Sequence, residues 1–353
     1  QQINWMLKNL SLSILSGIFF ALSWPEIGNF SWVIFVAFLP LLLVETNIRQ
    51  SDVKRKGFWV FVNAYVSFFI FNVITTWWIW YASEGGMIMA EIFNSLFMAI
   101  LFWGFSITRK ALGNKSGYLA LVFYWLGFEW VHTNWELSWI WLQLGNVFAN
   151  DVEVIQWYEA TGIQGGSLWI LLVNILLFNL LKQRWIDKIS INKWLALFTC
   201  AMLLAPIAYS LYRFSEYEEQ SNPVDIVCVQ PNIDPYHEKF GGLTEHEQID
   251  KIMQLISQKL DEKVDFVVAP ETAFPLGYWE HDLDFVYGSE QVWHLTDRFP
   301  KLRFNVGLST LKLYVAGEES TPTARPFADG SGNSFDYCNT AVQYDTSKSI
   351  QIY

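Results

Sequence analysis

The first 213 residues alternate between apolar stretches of bilayer length and short polar gaps, and Lys and Arg occupy only every second gap. A membrane-crossing helix needs about 20 apolar residues, fewer where the bilayer thins. By that measure the pattern predicts spans over roughly 9–24, 30–45, 58–81, 87–108, 117–133, 165–181 and 194–212. Lys8 precedes the first; Arg49, Lys54, Arg55 and Lys56 follow the second. Arg109, Lys110 and Lys115 follow the fourth, and Lys182, Arg184, Lys188 and Lys193 follow the sixth. The gaps around Glu26, around Glu84 and from Val131 to Gln164 hold no Lys or Arg. Positive charge is retained on the cytoplasmic side, so the chain is expected to start inside, cross seven times and emerge outside just before Arg213. Trp77, Trp78, Trp80 and Tyr81 close the third span as an outer aromatic belt.

After Pro223 the periodicity changes. Val224–Gln230 is a β-rich run ended by Pro231-Asn232, which predicts a strand and a turn. From Thr244 to Leu260, Ile249, Ile252, Met253, Leu255, Ile256 and Leu260 recur at helical spacing, and Thr244 with Glu247 forms a capping box. Val264–Ala269 is a second buried strand, closed by Pro270. Strand, helix and strand in that order imply parallel pairing in an α/β sheet. Residues 304–308 and 340–344 predict two further strands, with a Gly-, Pro-, Ser- and Thr-rich loop from Gly317 to Gly332 between them.

Composition sharpens the division. The chain is 52% hydrophobic, too apolar for one ordinary soluble domain of 353 residues. Residues 1–213 carry 13 Lys and Arg against 11 Asp and Glu, a balance of +2; residues 214–353 carry 10 against 23, a balance of −13, and together these give the −11 of the whole. An acidic domain is therefore expected to follow a membrane domain, over 1–213 and 224–353, with no electrostatic reason to bind nucleic acid. Three cysteines are too few for a disulfide framework, and no His/Cys spacing suggests a metal. Cys228 reads as part of a buried strand, and Cys338 as the thiol nearest solvent. The histidines, His132 and His237 among them, read as solvent or interface residues. No cleavage pattern follows Ala21-Leu22-Ser23-Trp24, so the first apolar stretch reads as a retained helix. The chain opens on Gln and closes on a strand-like Ile350-Gln351-Ile352-Tyr353, and both ends read as interior to a longer protein.

Three places invite chemistry. Glu271, in Ala269-Pro270-Glu271-Thr272-Ala273-Phe274-Pro275, follows the second strand, and chemistry in open α/β sheets collects at the carboxyl ends of parallel strands. Prolines on both sides limit its backbone freedom, although an acid after a strand is more commonly a solvated loop residue. Glu129 lies in apolar sequence near the outer end of span five. An intramembrane carboxylate is a functional candidate by default, or a hydrogen-bonding partner for a neighbouring helix. The aromatic run from Trp135 to Leu144 reads as an interfacial helix or as the wall of a lipid-accessible cavity.

The run Val-Val-Ala-Pro-Glu-Thr-Ala-Phe-Pro over 267–275, with Val-Gln-Pro-Asn-Ile over 229–233, resembles the nitrilase or carbon–nitrogen hydrolase fold. Preceded by seven predicted spans, it is similar to the apolipoprotein N-acyltransferase family. Leu22-Ser23-Trp24-Pro25, Ile155-Gln156, Thr161-Gly162, Gly166-Ser167 and Tyr337-Cys338-Asn339-Thr340-Ala341 carry further likeness. The resemblance implies a bundle of seven transmembrane helices followed by part of an α/β nitrilase-like αββα sandwich. It implies a bacterial inner-membrane enzyme, monomeric and cofactor-free, with its soluble domain outside. A Glu–Lys–Cys triad would move an acyl chain from a phospholipid, through a cysteine thioester, to the N-terminal amine of a diacylglyceryl apolipoprotein.

Glu271 matches the glutamate of that triad. The lysine and cysteine, and an eighth span, are expected beyond Tyr353, so the chain alone is expected to be inactive. Cys338 aligns with the strand before the lysine rather than with the nucleophile, and Lys348 precedes the last strand as a turn residue. The family's loop with Lys followed by Trp near the substrate path matches Lys239-Phe240, where Phe keeps an aromatic face and loses the indole donor. Phe240 and Glu129 are thus the expected substrate-binding residues. Competing readings are a membrane-tethered amidase of the same fold and a non-catalytic membrane binding protein.

Overall fold

The structure, a computed structural model, describes residues 2–234, 237–239 and 241–353. The chain divides into two compact units, Gln1–Glu218 and Glu219–Tyr353.

The first unit is helical. Its elements are α1 (Gln2–Ser23), a short turn leading into α2 (Ile34–Ala37) and α3 (Leu39–Gln50), α4 (Lys56–Thr76), α5 (Glu84–Thr133), α6 (Tyr158–Leu181) and α7 (Lys193–Glu216). Among the described residues six helical stretches, rather than seven, are long and apolar enough to cross a membrane, with α2 and α3 forming part of one stretch. The fourth and fifth predicted spans both fall within the 50 residues of α5. A straight helix of that length would run about 75 Å, more than twice a hydrocarbon core of about 30 Å. It is not straight. Gly113 has a φ of 85°, which glycine adopts without the steric cost a Cβ brings, and the helix reverses there. Thr108 and Tyr124 touch through their hydroxyls at 3.0 Å, and His132 reaches back to Asn94 at the same distance. The two arms of α5 therefore lie side by side, antiparallel.

Phe20, Phe38, Phe68, Phe71, Phe102 and Trp125 fill the middle of this unit and are essentially solvent-free. Phe38 meets Phe20 and Trp125 edge-on, an arrangement aromatic pairs favour. One expected loop cation is not in a loop. Arg109 is buried against the Glu45 carboxylate, which also accepts from the Ser106 hydroxyl at 2.9 Å. Removing one partner of such a pair leaves an uncompensated buried charge, so the pair ties α3 to the reversal of α5. α7 packs on α6, where the Trp169 indole donates to the Met202 carbonyl at 2.7 Å, and leaves Trp194, Leu197, Phe198 and Leu204 exposed.

The second unit is a mixed sheet with helices on one face. Its elements are β1 (Ile226–Cys228), α8 (Glu245–Ser257), β2 (Phe266–Val268), β3 (Phe274–Trp279), α9 (Tyr287–Arg298), β4 (Arg303–Tyr314), β5 (Arg325–Pro326), β6 (Ser334–Tyr344) and β7 (Gln351–Ile352). The strand order is β1-β2-β4-β6-β5, with β3 added to β4 and β7 to β6. β1 and β2 run parallel, as the strand–helix–strand order predicts, and β4 joins them in the same direction, so that Val227 stands beside Val267, which stands beside Phe304. β6 returns antiparallel along the full length of β4. Thr244 and Glu247 make the predicted capping box at the start of α8.

Ile249, Ile252 and Ile256 of α8, with Val292 of α9, pack on Val267, Phe304, Val306, Val342 and Tyr344. The opposite face carries Ile226, Val268 and Tyr337 exposed. Cys228 is therefore exposed rather than buried. β1 ends the row of strands, and α8 and α9 cover only the face toward which Val227 points.

Candidate functional site

The parallel strands deliver two loop starts to the same edge of the sheet. Val229 hydrogen-bonds across to Val268, and Ala269 to Asn305, so the chain leaves β1 at Pro231-Asn232 and β2 at Pro270-Glu271. Glu271 sits on a tight turn in which the Ala273 N–H returns to the Pro270 carbonyl at 3.2 Å. The neighbouring position in β4 is Gly307, whose own N–H also donates to that carbonyl at 3.2 Å. A Cβ at 307 would stand 2.6 Å from the Glu271 Cα, so only glycine lets the turn settle on the sheet.

The Glu271 carboxylate is exposed, and the Asn339 side-chain amide of β6 donates to it at 2.8 Å. Asn339 lies on the uncovered face of the sheet and is also exposed. A single neutral amide fixes the carboxylate's direction while leaving it room to accept a proton from a reacting group. The Lys239 ammonium donates to the Thr272 hydroxyl on the same turn. Glu271 and Thr272 of the turn, Asn339 of β6 and Lys239 of the loop before α8 thus converge from three separate segments.

The other residues singled out fall elsewhere. Cys338, next to Asn339, is half-buried, and burial, then the nearby Glu280 and Asp336 carboxylates, push its thiol pKa up. A nucleophilic thiol needs the opposite shift. Lys348 is committed to Asp297 of α9 at 2.6 Å. Phe240 lies outside the described residues.

Glu129 is deeply buried, and one of its oxygens accepts from the Trp125 indole at 3.1 Å and from the Leu144 N–H at 2.9 Å. Leu144 belongs to the aromatic run from Trp135, which is not the interfacial helix expected. It is a series of turns leading to a 3₁₀ turn over Leu144–Phe148, with Leu142, Leu144, Val147 and Phe148 buried in the bundle. Where the run is buried, the Leu144 N–H finds Glu129 and the Gly145 N–H finds the Ser167 hydroxyl at 3.0 Å. Residues 136–139 of the same run line one side of an open pocket of about 450 Å³, with Met89, Phe93 and Phe97 also in its lining.

His132 also differs from expectation. It is buried rather than interfacial, accepts from the Trp135 indole through Nδ1 at 2.9 Å and faces the Asn94 carbonyl through Nε2 at 3.0 Å. Accepting at Nδ1 leaves the proton on Nε2, so the ring is a neutral donor to Asn94. Asn94 in turn donates to Asn72 of α4. No single-sequence signal marks this relay, because its members lie 22 and 38 residues apart in the chain. Among the described residues no group of His, Cys, Asp and Glu has a metal-binding arrangement.

Comparison with known proteins gives the lineage. Residues 16–176 match the family model for the apolipoprotein N-acyltransferase N-terminal domain. An apolipoprotein N-acyltransferase of Chlorobaculum tepidum is 30% identical over 275 residues, covering 76% of this chain and 50% of the relative. These matches support kinship with the apolipoprotein N-acyltransferases. The enzyme of that name from Geobacter metallireducens is 27% identical over 76% of this chain and 52% of its own. Apolipoprotein N-acyltransferase 1 of Treponema denticola is 24% identical over 79% of this chain and 51% of its own. The chain spans about half the length of these curated relatives. The family match lies within the helical unit, and Glu271 lies beyond it.

Proposed function

We propose that this chain serves lipoprotein N-acylation, moving an acyl chain from a phospholipid to the N-terminal amine of a diacylglyceryl-cysteine. The observation that carries the reading is Glu271, held at the carboxyl end of a parallel strand by Asn339 in a chain whose relatives bear that enzyme's name. The tethered amidase and the binding protein find no support among those relatives.

In the mechanism, Glu271 takes the proton of a cysteine thiol, and the thiolate attacks the ester carbonyl of the donor lipid. The tetrahedral oxyanion is stabilised by a lysine and by backbone N–H groups. On collapse, the leaving lysophospholipid oxygen receives the proton from Glu271, and the acyl group remains as a thioester. The lipoprotein amine then attacks the thioester, Glu271 accepts the amine proton, and the thiolate departs. Neither Lys348 nor Cys338 has the setting for the other two roles, so the 353 residues alone are predicted to transfer no acyl group.

The unit that carries Glu271 is read as nitrilase-type, and each arm of α5 as one crossing, which gives seven crossings in the inner membrane. The charge pattern then sets the acidic unit on the extracytoplasmic side, in a monomeric enzyme. Glu129, in the helical unit, and Phe240, in the acidic one, are each proposed as substrate-binding residues. The membrane location has a physical basis: drawing an acyl chain out of a bilayer costs about 0.8 kcal/mol per CH₂, and an embedded enzyme avoids most of that.

The test is Glu271→Gln in membranes from cells expressing the complete gene, with thioester trapped and quantified by mass spectrometry. Loss of thioester with normal protein abundance is expected. Thioester at the unmodified level would remove Glu271 from the mechanism.

A further inference from the structure

The turn that carries Glu271 is strained, and its strain has a partner. Thr272 has a φ of 49°, in the left-handed region. A β-branched residue is an outlier there, and such a conformation persists only where the surroundings enforce it. Turns that need a positive φ ordinarily place Gly or Asn at that position. Threonine offers what glycine cannot, a hydroxyl in a fixed direction. That hydroxyl receives the Lys239 ammonium, and a hydrogen bond with an ionised donor is among the stronger kinds.

Lys239 is not a free-swinging surface chain. Its N–H donates to the Asp234 carbonyl at 2.9 Å, and its own carbonyl accepts from the Gln248 side-chain amide at 2.9 Å. Gln248 belongs to α8 and is only 2% exposed, so the lysine stem starts from a point fixed to the body of the unit. The bare surface of Gly307 receives the Glu271 backbone. The carboxylate-bearing turn is therefore gripped between a floor on β4 and a clamp from the loop before α8.

We propose that Lys239 is a positioning residue, which locks Thr272 in its left-handed conformation and thereby aims the Glu271 carboxylate. The role rests on the reading of Glu271 as the general base. Lys239 acts on the reaction through Thr272, not by contact with the reacting atoms.

Two measurements test it. The first is amide hydrogen exchange of Ala273 and Gly307 in the 353-residue chain, whose N–H groups close the turn on Pro270. Lys239→Met and Thr272→Val should each speed that exchange by about tenfold, the scale of one lost hydrogen bond, while Lys239→Arg restores protection. The double variant should exchange no faster than either single one. The second is acyl transfer by the enzyme from the complete gene, where both single variants should lower kcat by about tenfold at unchanged KM and unchanged thermal midpoint. Unaltered exchange in Lys239→Met, or effects of the two substitutions that multiply, would overturn the clamp. A Glu271→Gln control that transfers acyl groups normally would overturn the general-base reading instead, with the exchange data still deciding whether the clamp exists.

Discussion

Glu129 and Glu271 are both carboxylates set close to glycine and aromatic residues, yet the structure treats them in opposite ways. Glu129 is sealed in the helical unit and spends one oxygen on an indole and a backbone N–H. Glu271 is exposed on a turn, with one amide to direct it and glycine beneath it. A buried acid already engaged by fixed donors holds a fold together, because its donors cannot find water if it leaves. An exposed acid on a rigid, strained turn can exchange a proton with a ligand. What separates brace from base is which partners are already taken.

That contrast can be broken by substitution, beginning with the largest effect. Glu271→Gln should lower thioester formation by about a thousandfold, within the range for loss of general-base catalysis, at an unchanged melting temperature. Equal losses of stability and activity would show that Glu271 is a brace as well. Glu129→Ala should destabilise the helical unit by about 3 kcal/mol, since it orphans both the Trp125 indole and the Leu144 N–H. Thermal unfolding in detergent would measure it, and a shift near zero would mean water already serves those donors.

Asn339→Ala should cost about tenfold in kcat by loosening the carboxylate it directs, while Asn339→Gln should recover part of the loss. Smallest, Thr244→Ala should remove about 1 kcal/mol of stability by undoing the capping box of α8, with no change in the acyl-transfer rate per folded enzyme. A rate change there would mean that α8 transmits strain to Lys239 through Gln248.

Much of this was legible in the chain. The parallel pairing of β1 and β2 follows from two short apolar runs with a helix between them, and the capping box from Thr244 and Glu247 alone. Glu271 was locatable because Pro270 ends a strand and the motif around it resembles a known family. Other features were not legible. Asn339 is 68 residues from Glu271 and Lys239 is 33 from Thr272, and no local rule of periodicity connects such pairs. His132 and Arg109 looked like surface residues because their types usually are. Only the reversal of α5 brings His132 to Asn94, and only its packing on α3 brings Arg109 to Glu45.

The sequence by itself determined where the apolar stretches lie, how charge divides the chain and which strand ends in an acid, because hydrophobic period and turn chemistry are local properties. Tertiary structure decided the rest: that Gly113 folds one long helix back on itself, that one acid is sealed and another open, and that a lysine and an asparagine from distant segments meet at the Glu271 turn. The physical reason is that hydrogen-bond partnership and burial belong to pairs of segments, and a pair has no position in the sequence until the chain has folded.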